Sequence, residues 1–240
     1  MPIRGQMTVF TPDTRLNPSH NPWVGKLLAA PGDSRLPILF GDELRTQRGR
    51  WRSRHPENPD AALIFELGCH LGKTIREMAS ELPRIFFVGV DITFKRVVTA
   101  AERITAAGLR NAATVISPAQ AMDEFIADGE ADAFVIFFPD PWTKRAQAKN
   151  RLLTQAFAEL LVRKLRPGGL VWFKTDRPEY FATGKELFVA AGLSEMAQST
   201  HPFFGGHAFE STFERRFRLA GEATWGAVFQ RSKALSSGPI

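Results

Sequence analysis

Hydrophobic positions in this chain change their rhythm near residue 60. From there, short unbroken apolar runs alternate with stretches in which apolar residues recur at helical spacing. The runs are Ala61-Ala62-Leu63-Ile64-Phe65, Ile85-Phe86-Phe87-Val88-Gly89-Val90, Ala133-Phe134-Val135-Ile136-Phe137-Phe138 and Leu170-Val171-Trp172-Phe173. A run of this length that is apolar at successive positions, rather than at every second one, predicts a strand buried on both faces. Between the runs the spacing predicts helices at about 73–82, 93–107, 119–127 and 151–166. The last places Leu153, Ala156, Phe157, Leu160 and Leu161 along one side. Strands alternating with helices predict an α/β fold with a doubly wound, mostly parallel sheet. Helical periodicity fades after residue 192. The segments around 213–219 and 224–230, separated by Gly221-Glu222-Ala223, are expected to form an antiparallel hairpin that closes the sheet.

Residues 1–58 carry Pro2, Pro12, Pro18, Pro22, Pro31, Pro37 and Pro56 with little sustained periodicity, which predicts an irregular extension. Within it, Arg45, Arg48, Arg50, Arg52 and Arg54 crowd around Trp51, a pattern that suits an RNA-contacting arm as well as a solvated linker. The expected organisation is an extension over 1–58, a catalytic domain over 59–232 and a polar tail over 233–240. A chain of 240 residues is long enough for one large core and too short for two catalytic domains.

Composition narrows the classes. With 44% hydrophobic and 23% charged residues the chain is of the globular kind. Its longest apolar run, 133–138, is far short of the roughly 20 residues of a membrane-crossing helix, so no membrane partner is expected. The start, Met1-Pro2-Ile3-Arg4-Gly5-Gln6, does not read as a secretory signal, which predicts a cytoplasmic protein. Cys69 is the sole cysteine, so an intrachain disulfide and a zinc site built on several thiolates are excluded, and no metal is expected. A net charge of +6 favours polyanionic partners, since each neutralised phosphate releases counterions.

In an open α/β sheet the chemistry collects beyond the carboxyl ends of the strands. The first exit, Glu66-Leu67-Gly68-Cys69-His70-Leu71-Gly72-Lys73, is a glycine-bearing turn between a strand and a helix, where backbone can approach a ligand closely. It lacks the three-glycine fingerprint of dinucleotide enzymes. Asp91 ends the next strand, 19 residues after Gly72, where a carboxylate accepts hydrogen bonds from ribose hydroxyls or caps the following helix. S-adenosylmethionine carries a sulfonium and no phosphate, so it gains more from an acidic neighbour such as Glu66 than from a full glycine cradle. A later exit reads Pro139-Asp140-Pro141-Trp142-Thr143-Lys144-Arg145, with Lys149 and Arg151 following. A carboxylate beside a stacking ring can read a base that has left its helix, while nearby cations hold phosphates.

These motifs resemble those of the bacterial tRNA (guanine-N7)-methyltransferases, whose hallmark is a PDPW segment followed by basic residues. Phe138-Pro139-Asp140-Pro141-Trp142 matches it, and the resemblance runs from about residue 61 to 231 through Leu170–Lys174, Thr175-Asp176 and Ser211-Thr212-Phe213-Glu214. The resemblance implies a class I, Rossmann-like fold, S-adenosylmethionine as cofactor and tRNA as partner, with methyl transfer to N7 of a guanine in the variable loop. It implies Glu66, Gly68, Asp91, Pro118 and Asp140 at the cofactor, Asp140 also at the reacting base, and Lys144, Asp176, Ser211 and Glu214 facing the substrate. Monomer and homodimer are both left open.

The chain departs from the family at several of these places. His70 stands where a second glycine is usual, and Pro118 where an aspartate near the adenine is usual. Ala146 and Gln147 dilute the basic run, Ser211 replaces a threonine, and Asp91 is one methylene shorter than the common glutamate. The competing readings are a methyltransferase acting on another RNA or atom, a non-catalytic RNA-binding relative, and a dinucleotide oxidoreductase.

Overall fold

A computed structural model describes residues 22–28, 36–141, 151–197 and 201–233. Trp142, Lys144, Arg145 and Lys149 of the basic run lie outside these residues. The elements are α1 (Pro22–Leu28), β1 (Ile38–Leu39), α2 (Gly41–Arg45), β2 (Ala62–Leu67), α3 (Lys73–Glu81), β3 (Ile85–Asp91), α4 (Phe94–Ala106), β4 (Ala112–Ile116), β5 (Ala131–Phe137), α5 (Gln155–Lys164), β6 (Leu165–Thr175), α6 (Pro178–Ala190), β7 (Leu193–Glu195), α7 (Thr212–Leu219) and β8 (Trp225–Arg231).

The strands form one sheet in the order β1-β4-β3-β2-β5-β6-β8-β7. Every pair from β1 to β6 is parallel, and β8 runs antiparallel to both β6 and β7. Successive side chains of a strand point to opposite faces, and both faces here are covered. Phe65, Val88, Phe134 and Phe173 pack in one apolar cluster, and Ile64, Phe87, Val135 and Trp172 in another. Helices supply the covers. In α3, Thr74, Ile75, Met78 and Ala79 fall on one buried side, and in α4 Val97, Val98, Ala101 and Ile104 do the same.

The expected doubly wound sheet with an antiparallel C-terminal closure is present, but the closing hairpin is built differently. Its second arm is β8, as predicted, whereas its first arm is β7 and the segment 212–219 is the helix α7. The Ser211 hydroxyl accepts from the Glu214 amide while the Glu214 carboxylate accepts from the Ser211 amide. This reciprocal cap fixes the start of the helix. The predicted helix 119–127 is a 3-10 turn, Ala119–Glu124, because Phe125 and Ile126 turn straight down into the core after it. Neither β4, weakly apolar at its start, nor α6, whose buried residues are only Tyr180, Gly184 and Phe188, stands out in the apolar pattern.

The N-terminal stretch from residue 36 packs onto the domain rather than hanging from it. Trp51 is completely buried, donates its indole N–H to the Phe125 carbonyl at 2.7 Å, and meets Phe65 edge-on. Arg45 bonds Asp42 and Glu124, Arg48 reaches the Asp123 carbonyl, and Arg52 reaches the Ala61 and Glu130 carbonyls and the Asp132 carboxylate. These three arginines therefore fasten the stretch in place. Among the described residues, no helix is long and apolar enough to cross a membrane.

Candidate active site

Strand order reverses between β2 and β5, and a cleft of about 400 Å³ opens there at the carboxyl ends of the parallel strands. Glu66, Gly68, Asp91, Pro118, Asp140 and Ser211 all line it. The glycine turn after β2 forms its floor. The Gly68 and Cys69 amides both donate to the Val90 carbonyl, at 2.8 and 3.1 Å, which folds the turn back against β3. Gly68 has φ +87°, and a Cβ built on it would enter open space. Gly72 is also left-handed, and a Cβ there would sit 2.7 Å from that of Ala100, so only glycine lets α3 start this close to α4. His70 holds φ +49°, a costly conformation for a residue with a side chain.

Two acidic groups meet beside this turn. Glu66 is buried, and its Oε2 has no hydrogen-bond partner. Burial pushes its carboxyl up to about 8, against hydrogen bonds from Thr74 and the Ile75 backbone; the nearby Asp91 and Glu77 charges push it further up. Asp91 is also buried, but it is served by protein. Its Oδ1 accepts from the Thr93 amide at 2.8 Å and its Oδ2 from the His70 amide at 3.2 Å, with the Arg96 guanidinium 3.6 Å away. Asp91 thus fixes the turn leading into α4 and fastens the glycine turn while still lining the cleft. Burial pushes the Cys69 thiol well up, leaving it an un-ionised packing group.

The other wall comes from the β5 exit and α7. Phe138 adopts φ +53° and donates its amide to the Lys174 carbonyl, which turns the chain so that Pro139 and the exposed Asp140 reach the cleft. The Phe138 ring stacks on Phe217, with centroids 5.7 Å apart, and lies 6.5 Å from Phe213; Phe213 in turn meets His70 edge-on at 5.3 Å. Lys174 anchors this helix. Buried at the end of β6, its ammonium donates to the Phe209 carbonyl and to both Glu214 oxygens at 2.9 Å.

The structure therefore gathers six of the predicted site residues and leaves two of the described ones, Asp176 and Glu214, off the cleft. Glu214 is taken up by Lys174 and the helix cap, and half-buried Asp176, just past β6, does not line the cleft. Lys144 lies outside the described residues. Thr74, Arg96, Phe138 and Phe213 line the cleft without having been singled out from sequence. Phe138 and Phe213 stand inside the family motifs but were given no role, whereas Thr74 and Arg96 carry no local signal, since only the meeting of two helix starts brings them in. Among the described residues, no group of three or more histidine, cysteine and acidic side chains could hold a metal ion.

Residues 60–227 match the family described as "Putative methyltransferase". The chain is 32% identical to a tRNA (guanine-N(7)-)-methyltransferase of Shewanella oneidensis, over 71% of this chain and 73% of the relative. It is also 32% identical to one of Geobacillus kaustophilus, over 68% and 71% respectively. The crystal structure of the 16S rRNA methyltransferase KamB superposes with a TM-score of 0.54 at 15% identity, covering 80% of this chain and 92% of KamB. At that identity the likeness speaks to the fold alone.

Proposed function

The chain belongs to the tRNA (guanine-N7)-methyltransferase family, and from that premise we propose that it transfers a methyl group from S-adenosylmethionine to N7 of a guanine in the variable loop of cytoplasmic tRNA. The observation that carries this reading is the meeting of Glu66, Asp91 and Asp140 on one cleft at the switch point of the sheet.

The residues present fit the cofactor. A buried carboxylate oxygen without a partner is unfavourable in itself and suits a cationic ligand. Gly68 leaves open space where a side chain would otherwise stand. A cofactor-free RNA-binding relative would have no use for an unpaired buried Glu66. Glu66 then faces the cationic part of the cofactor, Asp91 the ribose hydroxyls, Gly68 and Pro118 the remaining surface, and Asp140 the border between cofactor and base. When bound, S-adenosylmethionine supplies an electrophilic methyl on a sulfonium.

Guanine N7 offers an unprotonated lone pair, so the chain needs no general base for this transfer. Its task is to hold the two reactants in line and to favour the positive charge that develops on the purine. Asp140 performs the second task by accepting hydrogen bonds from the guanine edge. The family motif assigns Lys144 and Asp176 to the substrate. Ser211 and Glu214 act there through the helix they cap, which presents Phe213 to the cleft.

Incubating the protein with unmodified tRNA and methyl-labelled S-adenosylmethionine, then resolving the nucleosides, is expected to yield label in 7-methylguanosine. Label in any other nucleoside, or none, would overturn the reading. Asp140→Ala is expected to slow single-turnover methylation, and an unchanged rate would remove its role.

A further inference from the structure

The anchoring of α7 is out of proportion to what it buries. None of its eight residues is buried, yet it is held by a reciprocal N-cap and by the Lys174–Glu214 pair. A helix that contributes no core residue yet is fixed this firmly needs another reason to be held in place. Its Phe213 and Phe217 lean on Phe138, and Phe213 remains 37% exposed where it borders the cleft. Three of its other residues, Arg215, Arg216 and Arg218, are basic and exposed. Arg218 is paired with Glu210, whereas Arg215 and Arg216 are exposed and form no ion pair among the described residues.

We infer that α7 is a surface on which the RNA backbone rests, with Arg215 and Arg216 as its phosphate contacts; this extends the tRNA reading above and depends on it. Helix geometry supports the assignment. Arg216 follows Phe213 by three residues, so the two are neighbours on the helix surface, about 4.5 Å apart along the axis. A base held against Phe213 therefore has its own sugar-phosphate within reach of Arg216, and Arg215 extends the positive surface around the helix. Of the arginines clustered near the N-terminus, Arg45, Arg48 and Arg52 do not compete for this role, because they are engaged within the protein. Position, rather than net charge, makes the assignment. Other exposed arginines, such as Arg84 and Arg110, lie where the chain enters β3 and β4, at the end of the sheet opposite the cleft.

The test compares the full-length protein, an Arg215→Gln/Arg216→Gln variant and an Arg84→Gln/Arg110→Gln variant that loses the same charge. Binding of unmodified tRNA is measured across a salt series, and S-adenosylmethionine affinity by calorimetry. Removing two phosphate contacts is expected to flatten the plot of log affinity against log salt by about 1.4 to 1.8, and to leave cofactor affinity unchanged. The distal pair is expected to leave the slope alone, and an Arg215→Lys/Arg216→Lys variant to restore most of it. An unchanged slope in the α7 variant, or an equal loss in the distal one, overturns the inference while wild-type methylation of tRNA still stands. Failure of the wild type to bind or methylate tRNA sinks both.

Discussion

Glu66 keeps a carboxyl group inside the protein without a cation to neutralise it, and its titration follows from that placement. Raised to about 8 from an ordinary 4.5, the group holds a proton in the folded cofactor-free protein that the unfolded chain has already lost. Between those values the unfolded state binds fewer protons, so stability of the cofactor-free protein falls as pH rises through this window. A cationic ligand favours the ionised form, so S-adenosylmethionine binding is expected to release a proton near neutrality. Its affinity should tighten as pH rises toward 8 and level off above it, which calorimetry in buffers of different ionisation enthalpy would measure. Glu66→Gln is expected to raise the melting temperature of the cofactor-free protein at pH 8, to abolish that pH dependence and to weaken cofactor binding by tenfold or more. A variant that melts lower and keeps the pH slope would contradict the assignment. Glu66, Asp91 and Asp140 were legible in sequence because strand exits can be located from apolar runs. The proton on Glu66 was not, since it depends on how deep the exit lies and on Thr74 and Asp91 meeting there.

α7 illustrates what is lost and kept when an element is read from pattern alone. Phe213, Phe217 and Leu219 are too few to fix a period in so short and charged a segment, and β7, the true first arm of the hairpin, has only three residues. The capping signature Ser211-x-x-Glu214 stood in the sequence all the same, and it carries the local instruction that prevails. Ser211→Ala should remove one amide partner and cost about 1 kcal/mol. Because α7 carries the aromatic border of the cleft and no core residue, that loss is expected chiefly as a higher KM for tRNA. The dissociation constant for S-adenosylmethionine, measured without RNA, should move little. Equal weakening of cofactor and RNA would mean that the helix supports the whole cleft rather than its substrate side. Ser211→Asn, which also caps well, is expected to keep the wild-type KM.

At the scale of the molecule, the described part of the N-terminal stretch packs against the sheet, and three of its arginines are used within the protein. Trp51 fills a completely buried site against Phe65 and Phe125, and Gly49 and Trp51 donate their amides to the Glu130 carboxylate. Composition signalled an irregular, proline-rich extension and could not reveal this, because one indole among five arginines carries no periodicity and its pocket is assembled from β2 and the 119–124 turn. Truncating a buried tryptophan costs about 3 to 5 kcal/mol. For a chain of this size each kcal/mol shifts the melting temperature by roughly 2 to 4 °C, so Trp51→Ala is expected to melt about 6 to 20 °C lower. Arg52→Gln, which loses its bonds to two buried-edge carbonyls and Asp132, should also melt lower, by a smaller margin. Neither change should alter the salt dependence of tRNA binding at a temperature where both variants remain folded. If Arg52→Gln instead left the melt unchanged and flattened the salt plot, the segment would be an RNA-binding arm after all, and the positive surface would have to be shared between the two ends of the chain.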